Sequence, residues 1–181
     1  WTLLDENWDR FMPLHRELTV EYLMWALQRT VYSRDGERQE ALVKALMDWA
    51  TETSTPLSLT QRIELELLYG DIAVQRGLLK EARELYTRTY RAEAYQGLLA
   101  RYRALLRRVR VERIAKHFDA ALESLAELEL ERIPELWASL HYSRAEVYYD
   151  MEEYEDAADE VEAILARDPT HAEAKIMQGK V

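Results

Sequence analysis

The clearest structural signal in the chain lies in residues 145–161, AEVYYDMEEYEDAADEV. This stretch indicates the end of one helix, a short turn and the start of a second helix. Small and aromatic residues stand before the turn and again after it, at Ala145, Tyr148, Tyr154 and Ala157. Pro169 then closes the second helix, because proline cannot continue one. The stretch therefore predicts a pair of helices that pack closely against each other.

The same order of residues occurs twice earlier in the chain. One copy runs over 70–86, with small residues before a Gly77 turn, and a more degenerate copy runs over 116–125. The turn residues Leu79, Phe118 and Tyr154 recur at spacings of 39 and 36. We expect the extra residues to lengthen the helix over roughly 92–115 and to make the stack irregular there.

This pattern resembles the tetratricopeptide repeat (TPR) family, whose units of about 34 residues each form a helix–turn–helix. The resemblance covers residues 59–181. It implies an all-α fold, a right-handed α-solenoid of antiparallel helix pairs in a TPR-like superhelix. Small residues would allow close approach within and between pairs, at Gly70, Ala82, Ala121, Ala145 and Ala157.

The domain organisation follows from one polar, aperiodic stretch at 51–56, after which Ser58 or Thr60 is placed to cap a helix. We expect an N-terminal helical hairpin with an irregular lead segment over 1–58 and TPR-like repeats over 59–181. The repeat units are predicted at 59–92, 93–133 and 134–169, with a truncated unit at 170–181. Residues 172–179 repeat the start of a unit, with Gly179 34 residues after Ala145, so we expect further repeats to follow.

Composition excludes several classes of function. Hydrophobic residues make up 48% of the chain and charged residues 32%, which is typical of a folded protein without a membrane-spanning segment. The formal net charge of -10 argues against nucleic-acid binding, because affinity for phosphate backbones comes mainly from Lys and Arg. Cysteine is absent, so no disulfide or thiolate chemistry is expected.

In the TPR family, the first helices of successive pairs line a concave groove that binds proteins or peptides. The resemblance therefore implies groove positions in each of the three full pairs. They are Glu64, Leu67, Asp71 and Val74; Arg103, Leu106, Arg110 and Arg113; and Ser139, Tyr142, Glu146 and Tyr149. The partner-binding residues that we expect are Asp71, Arg103, Arg107, Arg110, Arg113, Tyr142, Glu146 and Tyr149.

Residues 101–116 are the only dense basic stretch in this acidic chain. Arg103, Arg107 and Arg110 share one helical face, where several guanidinium groups could bind an acidic peptide or an anionic polymer. The alternative interpretation is a solvated face that is paired across to glutamates of neighbouring helices. Both interpretations remain open from the sequence.

No catalytic constellation stands out in the sequence. The four histidines lack the i, i+4 spacing of a zinc site and a consistent carboxylate partner, and no Gly-rich phosphate loop or nucleophile elbow occurs. The acidic residues over 152–162 lack the spacing of a calcium loop and indicate a solvated face. We therefore expect no enzymatic activity, no metal and no cofactor.

The function predicted from the sequence is a scaffold that binds a partner protein or peptide in the groove. Two alternatives remain: a periplasmic region of a bacterial envelope or exopolysaccharide-export machine, and a sensor or regulatory solenoid attached to an effector domain. Arg outnumbers Lys 19 to 5, which is typical of GC-rich bacterial genomes. The compartment stays open, with the periplasm placed ahead of the cytoplasm.

Overall fold

The computed structural model describes Trp25 and residues 57–181. This part of the chain forms seven α-helices and two short 3-10 helices and contains no strand, which confirms the all-α prediction. The predicted hairpin over 1–58 lies outside the described residues, apart from Trp25, which is helical, and the last two positions. Among the described helices, none has both the length and the apolar content needed to cross a bilayer.

The helices follow one another in pairs. The α-helices are α1 (Leu59–Gln75), α2 (Leu79–Arg91), α3 (Leu99–Ile114), α4 (Phe118–Leu130), α5 (Trp137–Asp150), α6 (Tyr154–Arg167) and α7 (Ala172–Gln178). The 3-10 helices Glu93–Tyr95 and Pro134–Leu136 precede α3 and α5. Each helix packs against the next in the chain, and α1 contacts α3 as α3 contacts α5.

The start of α1 is fixed by a capping box. The hydroxyl of Ser58 accepts from the backbone N–H of Gln61 at 3.2 Å, while the Gln61 side chain accepts from the Ser58 N–H at 2.9 Å. Two backbone donors that the helix cannot satisfy internally are thus paired. Of the two capping candidates in the sequence, Ser58 is the N-cap, and Thr60 lies inside α1.

The turn between α1 and α2 is a Schellman motif. The N–H of Leu78 donates to the carbonyl of Ala73 at 2.9 Å, and the N–H of Gly77 donates to that of Val74 at 3.0 Å. Gly77 takes the left-handed conformation that this motif needs, with φ of +75°. Glycine suits the position because it has no Cβ to clash with the following carbonyl.

The same turn joins α3 to α4 and α5 to α6, but without glycine. Lys116 and Glu152 take the left-handed position there, with φ of 60° and 66°. The hydrogen bond of the motif that spans five residues along the chain is also repeated. The N–H of His117 donates to the carbonyl of Glu112 at 2.8 Å, and the N–H of Glu153 donates to that of Tyr148 at 2.9 Å. Three helix pairs therefore share one turn geometry, although their turn sequences differ.

Close packing within the first pair depends on Gly70. A methyl group at this position would overlap the ring of Tyr86 on α2, so only glycine lets the two helices approach as they do. Ala145 stands at the corresponding place in α5 and is fully buried. Ala82, Ala121 and Ala157 are also fully buried, as expected for small residues between close helices.

The bounds predicted for a lengthened helix, 92–115, were wrong. Residues 92–98 form a connection that contains the 3-10 helix, and α3 begins only at Leu99. α3 has 16 residues and α5 has 14, so α3 holds part of the longer repeat spacing. The connection before α3 is also one residue longer than that before α5, and Gly97 turns it with φ of +78°.

The described apolar core has two parts that meet at α5. The larger cluster runs through α1 to α5 and includes Tyr86, Leu105 and Val147. The smaller cluster joins α5, α6 and α7 through residues such as Ala145 and Ile164. Each pair thus buries its apolar face against its neighbours in the chain, which is how helical repeats form a core.

Candidate interaction face

The predicted partner-binding residues lie on α1, α3 and α5, the first helices of the three pairs. We call their shared side the first-helix face. It carries Glu64, Asp71, Arg103, Arg107, Arg110, Arg113, Tyr142, Glu146 and Tyr149. Ion pairs join these helices side by side. In the two pairs between α1 and α3, the residue numbers rise in the same direction on both helices, so α1 and α3 run parallel.

Arg103 reaches across to the preceding pair. Its Nη1 lies 2.7 Å from Oε1 of Glu64 on α1. The Arg103 side chain is still 56% exposed, so the remaining donors of its guanidinium face solvent.

Arg107 and Asp71 form a partly buried contact on the face. Nε of Arg107 donates to both carboxylate oxygens of Asp71 at 3.1 Å, and the hydroxyl of Tyr86 donates to the same carboxylate at 2.8 Å. Burial, with the nearby Asp71 charge, raises the pKa of Tyr86 far above its usual range. Asp71 thus links α1, α2 and α3 from one carboxylate.

Arg113 makes the equivalent link from α3 to α5. Its Nη1 lies 2.8 Å from Oε1 of Glu146, and its Nε lies 3.5 Å from Oδ2 of Asp150. The predicted site residues Arg103, Arg107 and Arg113 are therefore all paired with glutamate or aspartate of a neighbouring first helix, as the alternative interpretation of the basic stretch expected.

Arg110 differs from the other arginines of the face. It is exposed and forms no ion pair with any residue in 57–181. It lies one helical turn from Arg107 and Arg113, whose charges are already balanced by carboxylates. Within the described part of the chain, Arg110 is the arginine of this face with a charge available to a ligand.

The two tyrosines of the face are partly buried. Burial, followed by the carboxylates of Glu146 and Glu173, raises the pKa of Tyr142. Tyr149 packs edge-on against Tyr154, with ring centroids 5.5 Å apart. Both tyrosines pack against the smaller apolar cluster, so each combines a structural contact with a partly exposed ring.

One of the groove positions implied by the resemblance was wrong. Leu67 is fully buried in the larger cluster and cannot contact a ligand. The remaining positions of α1, Glu64, Asp71 and Val74, are partly exposed. The face at α1 is therefore more polar than the sequence suggested.

The basic stretch divides between two sides of α3. Arg101 lies against the rings of Tyr90 and Tyr102, with Cζ 5.1 and 4.7 Å from their centroids. Arg108 donates to the hydroxyl of Ser124 on α4 at 2.8 Å. These two arginines are 14% and 12% exposed, so they belong to the packing between helices and not to the first-helix face.

Sequence reasoning missed the carboxylate partners of three histidines, one of which is His171, with Nδ1 3.5 Å from Glu173. Nδ1 of His141 lies 2.5 Å from Glu160, and Nδ1 of His117 lies 3.2 Å from Glu112. Glu160 also accepts from Arg144 at 3.2 Å. Position 141 on α5 and position 160 on α6 lie at similar distances from the hairpin turn, and that symmetry was the available signal.

Arg144 lies at the centre of this polar network. Its other Nη atom donates to Glu129 on α4 at 2.7 Å. Burial acts against its charge, but Glu160 and Glu129 outweigh that effect and raise the pKa of Arg144. Within the described residues, no group of three His, Asp or Glu side chains is arranged to hold a metal ion.

Comparisons of the chain with protein-family models, with curated proteins and with solved structures find no match.

Proposed function

We propose that this chain is a protein-interaction scaffold, a TPR-like right-handed solenoid that binds a partner protein or peptide through the first-helix face. The observation that carries the proposal is the side-by-side arrangement of the first helices, joined from α1 to α3 and from α3 to α5 by ion pairs between successive pairs. Repeated elements aligned in this way offer one extended surface, which is how helical-repeat proteins engage their ligands.

The repeated turns support the same proposal. Three pairs use the Schellman motif with a left-handed residue at the same place, and the small residues expected of the family are buried. A common turn fixes a common angle between paired helices. Repetition of one unit with only local variation is the structural basis of a superhelix.

The charge pattern of the face favours an acidic peptide as the partner segment. Arg110 has an unbalanced charge within the described residues, and the Arg103 side chain, two turns earlier on the same helix, is 56% exposed. Guanidinium groups bind carboxylates through charge-assisted hydrogen bonds. Arg103 and Arg110 lie two helical turns apart on α3, so an extended peptide that runs along α3 would meet both side chains.

The test begins with affinity capture from lysate and envelope fractions of the source cells, followed by identification of the partner by mass spectrometry. Affinity for that partner is then measured by isothermal titration for the wild type and for Arg110→Glu. We expect Arg110→Glu to weaken binding by about ten-fold or more, since it removes a charged hydrogen bond and adds repulsion. Circular dichroism checks that helicity is unchanged.

Arg91→Glu is the matched control, because Arg91 is also exposed but lies on α2. Reversal of Arg103 or Arg107 is less informative, since either change would place two carboxylates together at Glu64 or Asp71. Equal affinities for the wild type and Arg110→Glu would argue against the first-helix face. A periplasmic or outer-membrane partner would favour the envelope role, and a kinase or DNA-binding partner would favour the regulatory role.

A further inference from the structure

A cavity lies at the edge of the stack where α4 passes into α5. Its volume is about 310 Å³. Its apolar wall is formed by Leu128, Ile133, Pro134, Leu136 and Leu140, and Trp137 completes it. The first-helix face is elsewhere, since none of the residues that define it lines this cavity.

Trp137 presents an aromatic surface in this cavity. The guanidinium of Arg167, at the end of α6, lies 3.7 Å from the Trp137 ring centroid. The His141 ring lies 4.1 Å from the same centroid and is tilted by 44°. A cation over an aromatic face holds both groups in place while the cation keeps its hydrogen-bond donors.

Two of the cationic side chains around the cavity have no ion-pair partner within residues 57–181. Glu129 is paired with Arg144 at 2.7 Å, and His141 is paired with Glu160. Arg132 and Arg167 also line the cavity, are exposed and form no ion pair with any residue in 57–181. A locally cationic rim therefore surrounds an apolar wall in a chain of net charge -10.

Another cavity provides a comparison. The cleft between α2 and α4 has a volume of about 600 Å³ and is lined by four arginines and four glutamates. Its charges balance, so it offers no preference for an anion. The smaller cavity combines an uncompensated cationic rim with an aromatic wall, and this combination selects a ligand class.

We propose that the cavity at Trp137 binds a peptide segment in which one large apolar side chain is flanked by carboxylates. The apolar side chain would pack on Trp137 and the leucines, and the carboxylates would accept from Arg132 and Arg167. The volume lies at the lower limit of ligand pockets, roughly 300 Å³, which suits one anchoring side chain better than a whole cofactor. This peptide site is separate from the first-helix face and does not depend on it.

The test uses the full chain and a set of short acetylated, amidated peptides. Each peptide carries one Leu, Met, Phe, Tyr or Trp between aspartates or glutamates. Binding is followed in ¹H–¹⁵N correlation NMR spectra by the indole N–H signal of Trp137. This signal is assigned by its absence in Trp137→Phe. We expect at least one peptide to shift this signal, and its Asn/Gln and apolar-to-Ala counterparts to bind about ten-fold more weakly or worse.

Charge reversals locate the site. Arg132→Glu and Arg167→Glu should each reduce affinity for the binding peptide by about ten-fold or more. Arg91→Glu is the matched control, because Arg91 ends α2 as Arg167 ends α6, and it should bind as the wild type does. Circular dichroism and urea unfolding establish that each variant is folded.

Three results would overturn the proposal. The first is failure of the entire peptide set to shift the Trp137 signal of the folded wild type. The second is an equal loss of affinity in Arg91→Glu, which would indicate non-specific charge attraction. The third is equally tight binding of a free aromatic carboxylate such as 3-phenylpropionate, which would assign the cavity to small organic anions.

Discussion

Nε of Arg107 donates to both carboxylate oxygens of Asp71 at 3.1 Å, and this contact joins the first helices of two successive pairs. The same carboxylate accepts from Tyr86 within its own pair at 2.8 Å. One side chain on α1 thus holds its paired helix and its neighbour in the stack. Loss of Asp71 should therefore weaken contacts both within a pair and between pairs.

A double-mutant cycle on Asp71→Ala and Arg107→Ala should reveal this coupling. The two side chains are only 17% and 30% exposed, so we expect a coupling energy of about 1 kcal/mol in urea unfolding. The pair Glu64 and Arg103 is the control, because the Arg103 side chain is 56% exposed. Its coupling should stay below about 0.5 kcal/mol, and similar values for both pairs would contradict the prediction.

The turns predict opposite effects for opposite glycine substitutions. Gly77→Ala should lower the free energy of unfolding by about 1 kcal/mol, because its φ of +75° is unfavourable for a residue with a Cβ. Lys116→Gly should raise it by about 0.5 kcal/mol, since relief of the left-handed strain exceeds the entropy that glycine adds to the unfolded chain.

Thermal and urea unfolding measure both effects. Gly179→Ala is the matched control, because the φ of Gly179 is -78° and its added Cβ would make only ordinary contacts. A loss of stability as large in Gly179→Ala as in Gly77→Ala would mean that the left-handed conformation is not the cause.

Gly70→Ala should destabilise the protein even though alanine favours helices. The added methyl group would overlap the ring of Tyr86, which is 1% exposed and whose hydroxyl is held by Asp71. We expect a loss of about 2 kcal/mol in the free energy of unfolding, typical of overpacking in a core. Tyr86→Leu should reduce the additional loss caused by Gly70→Ala, and full additivity of the two changes would count against this contact.

Stability should fall at alkaline pH because of the buried tyrosines. Burial, with the Asp71 charge, raises the pKa of Tyr86, and burial with Glu127 raises the pKa of Tyr90 to about 12. Above about pH 10 the unfolded chain releases these protons while the folded chain keeps them, so the free energy of unfolding decreases as pH rises. The contribution of Tyr90 is present below about pH 10 and lost by about pH 12.

Urea unfolding between about pH 8 and 11 tests this slope. Tyr86→Phe should reduce the decrease above about pH 10 by up to 1.4 kcal/mol per pH unit, roughly the linkage expected for one proton. A slope that is the same in the wild type, Tyr86→Phe and Tyr90→Phe would show that other groups cause the alkaline loss.

The turns could be predicted from the sequence because their signals are local. Gly77, Leu79 and Ala82 lie within a few residues of one another, and the copies of the pattern at Phe118 and Tyr154 keep that order. The structure has helices starting at these three positions. Local sequence is sufficient there, because a helix end depends on the residues that make its last hydrogen bonds.

The partners of the arginines could not be predicted in the same way. Arg107 and Asp71 are 36 residues apart, and their contact depends on the relative height of two helices that sequence spacing does not determine. The misplaced helix over 92–115 has the same origin, because extra residues can enter a connection as easily as a helix. Leu67 was assigned to the groove by analogy, and a small rotation of α1 is enough to bury it.

The division of the core at α5 has a mechanical consequence. Leu140 and Val147 of α5 belong to the larger cluster, whereas Ala145 belongs to the smaller one that holds α6 and α7. Tension applied through α7 would first load the smaller cluster and peel α7 from α6, because α5 and α6 make the most extensive contact between any two of the described helices. The described part of the chain should therefore extend in separate steps under force, with α7 leaving first and the pair of α5 and α6 still closed.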